Sequence, residues 1–580
     1  MTATPLLEPR ARSAASPAVA ETPPDARRRP SARRVPPTGT TASARRDGDR
    51  AAGRDGRPGA APDDRRDDLV WRSGRLELRL RRSPDGPVTL SRLVAGSVET
   101  HLAPRVPLVD ARVSSGRAGG STPTAVGPDL RYVAHSVSAD GATLVVVSAT
   151  PAGIRVTLTL HGRDGALRST AVVTNGTGAP VRVHAVTCWA APLGVRLDKG
   201  DAPDPAADWE LLEGRVDASG IERWSVRDLR GGELLPCPRS GGAGRGSVDR
   251  ASGAAPAAAL PVALPSATLP VAALLSERQE VAWLWELAAD GLWRWQLHEG
   301  TADCRLALSR PADADAAGAD APGADPAASE TLAPGASTAA AAALVAVGTD
   351  LEDAAAAMTR ARRAEHRASG AVPSPRIHDA TAIGTAALST LPEETAVPVR
   401  LRSDMTTGET IAALATGLAG TLGVEADDDL RPDQRALVAD AVRTADDLRD
   451  GLARSVPLWP RGIPEGAEGW ICAARDTGEA VIVAIADRGS SDGDSADADD
   501  ALLSFPSLVG RRVDVAVLFP RSTGAGPDAA AAGGGAEDAA ESGAGAGAAA
   551  AEWDAARGIL TVPSSPGLPS ARLLELRRRS

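Results

Sequence analysis

The residues able to do chemistry are few and scattered. The seven histidines, His101, His135, His161, His184, His298, His366 and His378, form no HExxH-type metal-ligand cluster. The four cysteines, Cys188, Cys237, Cys304 and Cys472, contain no CxxC pair, which excludes zinc-ligand spacing and suggests small buried thiols. The sequence has no GxSxG elbow, no GxxxxGK[ST] phosphate loop and no GxGxxG following a strand. No cofactor or metal is expected. The densest suggestive group is Trp283, Trp285, Trp293 and Trp295, within V-A-W-L-W-E-L-A-A-D-G-L-W-R-W-Q-L at 281–297. Such a set can stack on sugar rings as a carbohydrate-binding platform. It can equally fill the space between two packed sheets, the common fate of such a face.

The segment carrying these tryptophans alternates. Taking Ala289-Asp290-Gly291 as a three-residue loop predicts a hairpin pairing Trp285 with Trp295 and Leu287 with Trp293. Its two faces then separate: Trp283, Trp285, Leu287, Trp293, Trp295 and Leu297 on one, Glu286, Arg294, Gln296 and His298 on the other. Upstream, short Val-, Leu- and Thr-rich stretches recur at Arg75–Leu80, Leu130–Ser136, Ala142–Ser148, Ile154–Leu160, Arg168–Thr174 and Val181–Trp189. Turn signals such as Ala139-Asp140-Gly141 and Arg163-Asp164-Gly165 separate them, the pattern of an antiparallel β domain.

Helical signals come later. Asp350 can cap a helix from Leu351 to about Arg367, with acids early and arginines late. Residues 371–403 read as irregular. Thr406-Thr407-Gly408-Glu409 has capping-box spacing, and Ile411, Leu414, Leu418 and Leu422 follow at helical spacing. Another helix runs from about Pro432 to Arg454. The tail returns to strand at Ala480–Ala486, Arg512–Phe519, Ile559–Val562 and Ala571–Leu576.

Composition bounds the function classes. The 580 residues carry a net charge of −11, so a global basic footprint for nucleic acid is absent. Residues 1–68 hold 14 arginines interleaved with 10 acids and almost no large apolar side chain, so a disordered tail is expected there. Acidic and Ala/Gly-rich inserts at 490–500 and 521–551 read likewise. No run of about 18 apolar residues predicts a membrane span, and the N-terminus lacks a signal-peptide pattern, so a cytoplasmic location is expected.

Several stretches resemble the α-galactosidases of glycoside hydrolase family 36, of the actinobacterial type. They are the tryptophan segment, L-A-P-G-A at 332–336 followed by L-V-A-V-G, and M-T-R-A-R-R-A at 358–364. The later stretches are D-M-T-T-G-E-T at 404–410, L-R-P-D-Q-R-A-L-V at 430–438, S-V-P-L-W-P-R-G-I-P at 455–464 and P-S-A-R-L-L-E-L at 569–576. Their order over roughly 450 residues carries the resemblance. It implies a mainly β protein with an N-terminal β-supersandwich-like domain (69–349), a helix and barrel junction (350–403), and two helices resembling the end of the barrel (404–456). A C-terminal antiparallel β-sandwich (457–580) closes the chain.

In that family a (β/α)₈ barrel lies between these flanks. Such a barrel takes about 250 residues, whereas residues 371–403 number 33. The resemblance therefore implies that most of the barrel is missing, with Pro375-Arg376-Ile377-His378-Asp379 similar to a remnant of its first strand and a short helical part similar to its end. Retaining glycosidases need two carboxyl groups about 5–5.5 Å apart. The family's Lys-x-Asp nucleophile strand is not found; Lys199-Gly200-Asp201 spells the pattern but in a loop of the first β domain. Asp379 and Asp404 are the acids nearest the expected places, as vestigial candidates. The expected protein is thus α-galactosidase-like and catalytically deficient on its own, with α-galactosides as ligands to consider. The alternative is a carbohydrate-binding or regulatory β protein, or one that forms homo- or hetero-oligomers with a full-length relative.

Overall fold

A computed structural model of the chain describes residues 68–101, 106–115, 122–192, 209–216, 222–228, 267–288, 294–300, 303–311, 330–370, 376–378, 383–463, 470–487, 500–521, 551–563 and 571–579. The expected disordered segments lie outside these residues, apart from Asp68, Asp500, Arg521 and Ala551 at their ends. The fold is mainly β, with antiparallel sheets at both ends of the described chain and helices gathered between them.

The first β region holds a ten-stranded, a six-stranded and a four-stranded sheet. Strand alternation explains the layers. Ile154–Arg163 buries Ile154, Val156, Leu158 and Leu160 and turns Arg155 outward. It pairs with Ala166–Asn175 through the two-residue turn Asp164-Gly165, where both residues have positive φ (52° and 91°). That is the backbone twist tight hairpins favour, and Asp-Gly accommodates it. One apolar core draws on all three sheets, including Trp71 and Leu78, Val156 and Trp283, and Trp189 and Leu308.

The tryptophan segment is not a hairpin. Strand Val281–Leu287 lies in the ten-stranded sheet, between Ala267–Ser276 and Ala343–Gly348. Strand Arg294–Gly300 pairs with Asp303–Pro311 in the six-stranded sheet. Trp285 and Trp295 therefore meet from opposing sheets, edge to face, with ring centroids 5.6 Å apart and planes at 74°. Alternation specifies which side chains point inward; it does not specify which strand lies alongside. A two-sheet core gains more from indoles contributed by both layers than from indoles side by side on one layer.

The ten-stranded sheet is buried on its second face too. Ala282, Leu284, Leu344 and Ala346 pack on the helix Leu351–Ser369 through Ala354, Ala355, Ala357, Met358 and Ala361. Small residues let helix and sheet approach closely, and a Cβ on Gly348 would collide with the backbone nitrogen of Ala354. The helix begins where Asp350 accepts a hydrogen bond from Asp353 N–H (2.8 Å) and ends at Gly370, which has φ +66°.

Two further corrections fall in the middle of the chain. Residues 371–403 are not irregular throughout: Arg376–Ile377 is a strand, within the stretch that resembles a first barrel strand, Thr395–Leu401 is an unforeseen strand, and Ile383–Ala386 is a short helix. Pro398 hides the second strand from a sequence reading, because proline disfavours sheet interiors. The strand Arg376–Ile377 pairs only with Thr395 and Ala396, so Pro398 stands beyond that neighbour's end. The helix begun by Thr406 stops at Gly417, and Thr421–Ala426, which contains Leu422, is a strand. Arg376–Ile377, Thr395–Leu401 and Thr421–Ala426 form a three-stranded parallel sheet. The helices Thr407–Gly417 and Pro432–Leu452 pack beside it.

The last region pairs a five-stranded with a three-stranded sheet. Val481, Val483, Ile485, Leu574 and Leu576 face the three-stranded sheet through Leu503, Phe505 and Leu560. The opposite face of the five-stranded sheet, with Ile482, Ala484 and Leu573, packs on Leu414 and Leu418 of the Thr407–Gly417 helix. Burial of both faces explains the nearly continuous apolar run A-V-I-V-A-I-A at 480–486.

Candidate functional site

Two places collect polar side chains around the parallel sheet, one at each end of its strands. At the C-terminal ends, Leu401 runs into the loop 402–406, and Ala426 into Asp427, Asp428 and Asp429. α/β barrels carry their catalytic residues at this end. The loop is held from the Pro432–Leu452 helix and its cap. Arg431 Nη1 donates to the carbonyls of Ser403 and Met405 at 2.7 Å each, and Gln434 Nε2 donates to those of Arg402 and Met405. The capping box of Thr406 and Glu409 closes it.

Asp404 sits on this loop, exposed, and accepts from Arg402 Nε at 3.0 Å. The nearby carboxylates are committed elsewhere. Glu409 binds the Thr406 N–H (2.7 Å) and hydroxyl, Asp429 binds Ser403 Oγ, and Asp433 binds Arg431 and Thr407. The hydrogen bonds from Thr406 hold Glu409 below its ordinary value, and the bond from Arg431 does the same for Asp433. Asp379 lies outside the described residues. Its neighbour His378 is buried, at the end of the first parallel strand, and burial lowers its pKa; Nε2 lies 3.2 Å from Thr390 Oγ1.

At the N-terminal ends, a cleft of about 130 Å³ opens between the ten-stranded sheet, the Leu351–Ser369 helix and the segment leading into Thr395–Leu401. Two ion pairs line it, Arg362 with Glu286 (2.7 Å) and Arg168 with Glu365, and His366 Nδ1 lies 2.9 Å from Glu394 Oε1. Arg376 and Ser389 complete its polar wall. Arg362 also donates to the Leu388 carbonyl at 2.8 Å. The next residue, Arg363, grips both oxygens of Glu393 at 2.6 and 2.8 Å, and this pair is nearly buried. Burial raises the pKa of Glu222 behind this wall, against the nearby charge of Arg376 and a hydrogen bond from Ser389. One helix face thus binds the first β region to the parallel sheet.

The tryptophans sit elsewhere. Trp283, Trp285 and Trp295 are fully buried in the core of the first β region, so none presents a face to solvent; Trp293 lies outside the described residues. Their indole N–H groups find no hydrogen-bond partner among the described residues. Cys188 and Cys472 are buried and form no disulfide among the described residues, and burial pushes the Cys188 thiol up to about 12. No group of three or more His, Cys, Asp or Glu placed to hold a metal ion occurs among the described residues. No helix among them is long and apolar enough to cross a membrane.

The cleft was not among the sequence-level candidates, although it left a trace. Glu286 is the single charge in V-A-W-L-W-E-L, a strand buried on both faces, and such a charge needs a partner. Arg362, Glu365 and His366 recur at the three- and four-residue spacing that puts them on one helix face.

The chain thus runs through a β-sandwich region, a helix, a parallel α/β segment and a C-terminal β-sandwich, in that order. The particular likeness is to α-galactosidases of family GH36. The chain matches AgaA A355E from Geobacillus stearothermophilus in complex with 1-deoxygalactonojirimycin at TM-score 0.52 and 9% identity, covering 88% of this chain and 100% of that one. It matches AgaB from the same organism at 0.52 and 10%, covering 90% and 100%. The α-galactosidase from Lactobacillus brevis matches at 0.51 and 10%, covering 89% and 99%. At these identities the likeness is one of fold. No protein-family model matches the chain. No curated protein matches it in sequence.

Proposed function

We propose that this is an α-galactosidase-like protein of family 36 ancestry that does not hydrolyse α-galactosides by itself, its catalytic barrel reduced to a fragment. The observation that carries the reading is the chemistry at the C-terminal ends of the parallel strands. A retaining glycosidase needs a nucleophile and an acid held protonated near neutrality, which requires a raised carboxyl pKa. Here Asp404 is exposed and tied to Arg402, while hydrogen bonding lowers Glu409 and Asp433. The 33 residues of 371–403, against the ~250 of a barrel, support the same reading.

The test is turnover of an aryl α-galactoside by the purified chain, with its mass and circular dichroism confirmed. The expected rate equals the blank. Turnover that Asp404→Asn or Asp379→Asn abolishes would overturn the proposal. α-Galactosides are the ligands to titrate first, because solved structures sharing the fold hold raffinose and stachyose.

A further inference from the structure

The cleft at the N-terminal ends of the parallel strands has the make-up of a ligand site, and it lies at the opposite end from the one where barrels do chemistry. Its two ion pairs and the His366–Glu394 contact each use one carboxylate oxygen: Oε2 of Glu286, Oε2 of Glu365 and Oε1 of Glu394. Among the described residues, the second oxygen of each carries no hydrogen bond and stands as an acceptor. The Arg376 side chain, exposed at the rim, forms no hydrogen bond or ion pair among them and offers donors. Ser389 Oγ, whose proton goes to Glu222 or the Ala386 carbonyl, offers an acceptor. Fixed acceptors and donors therefore both line a space equal to about four water molecules, at ~30 Å³ each.

The balance of charge selects the ligand. Three arginines face three glutamates, and Glu222 stands close behind Arg376. A free ion would meet charges of both signs and gain little. Vicinal hydroxyls, each donating and accepting, match a wall that offers both. No Phe, Tyr or Trp lines it, so an edge-on approach fits better than face stacking. From this geometry we infer that the cleft binds a small neutral polyol, a linear tetritol or one edge of a pyranose ring. The cleft is built from the Leu351–Ser369 helix, the ten-stranded sheet and the segment before Thr395, so a bound polyol would also brace that joint. The inference is independent of whether the chain hydrolyses glycosides.

The experiment titrates the full chain with erythritol, D-galactose, D-galacturonate and inorganic phosphate, read by ligand-observed NMR and by thermal shift. Saturable binding of erythritol or galactose is expected, with a rise in melting temperature. Arg376→Gln should weaken it about tenfold, the loss of one hydrogen bond to a charged group. The ligand-free chain should still unfold cooperatively, with at most a small drop in melting temperature, because the Arg376 charge also stands beside the buried Glu222. Ala342→Phe, which occludes the cleft without removing a charge, should abolish binding. Binding of galacturonate or phosphate alone would overturn the assignment to a neutral polyol. No binding by folded wild-type chain, or polyol binding untouched by both variants, would overturn the site.

Discussion

Replacing Trp285 by alanine separates a core role from a sugar-binding one. Trp285 is fully buried and meets Trp295 across the two sheets at 5.6 Å. Truncating such a side chain removes its transfer free energy and leaves a cavity, about 3–5 kcal/mol together. The edge-to-face pair should add a coupling of about 0.5–1.5 kcal/mol between Trp285→Ala and Trp295→Ala. Phenylalanine should behave differently. It gives up roughly 40 Å² of apolar contact, ~1 kcal/mol. It also removes a buried N–H with no partner among the described residues, a group whose desolvation costs about 1–3 kcal/mol. Trp285→Phe should therefore fall within about 1 kcal/mol of the parent. Urea unfolding followed by far-ultraviolet circular dichroism, on the four members of the double-mutant cycle and on Trp285→Phe, measures all of this. A Trp285→Ala cost under about 0.5 kcal/mol, the range of surface substitutions, would refute the buried placement. Zero coupling would refute the facing of the two indoles.

Other perturbations follow from the helix Leu351–Ser369 and the core. Arg363→Ala should cost about 3–5 kcal/mol in urea unfolding by stranding Glu393, and replacing both partners with apolar residues of similar size should recover most of it. Burial raises the pKa of Glu352, with the charges of Asp350 and Asp476 adding to it. The folded carboxyl then binds its proton more tightly than the unfolded one, so between 4.5 and the raised value this group's contribution to stability falls as pH rises. Glu352→Gln keeps an acceptor for the Trp459 N–H, and its melting temperature relative to the parent should climb across that window. Cys188, fully buried with its thiol pushed up to about 12, should resist iodoacetamide at pH 8 until the chain is unfolded, as mass spectrometry would report.

Elements whose residues satisfy local rules were legible without coordinates. The strand read at Ile154–Leu160 runs Ile154–Arg163, and the one read at Ile559–Val562 has those bounds. The helix expected from Asp350 starts where Asp350 caps it. What escaped was partnership. Trp285 and Trp295 alternate as a hairpin would, yet they belong to different sheets, because period two fixes a side chain's face and leaves the neighbouring strand to the global packing. Leu422 continued a helical spacing across Gly417 and Gly420. There the chain instead turns into a strand, and a Cβ on Gly420 would run into the carbonyl of Thr395.

The same distinction decides how much of the site could be read. Asp404 was visible because a motif surrounds it, and the structure puts it on a loop fixed by Arg431 and Gln434, at the end of a parallel strand. Position alone does not make an acid catalytic. Its chemistry depends on how a second carboxyl is hydrated and hydrogen-bonded. Some of those partners are local, as Thr406 is for Glu409, but others come from separate segments: Ser403 for Asp429, Thr407 for Asp433. The cleft is harder still to foresee, since Glu286, Glu365 and Glu394 approach it from a strand, a helix and a turn. Glu365 and Glu394 look like ordinary surface acids until Arg168 and His366 are found, 197 and 28 residues away along the chain. A lone charge inside an apolar strand, as at Glu286, is the one sign that sequence offers of such a joint. It is a reliable sign because a buried carboxylate without a partner would not stay ionised.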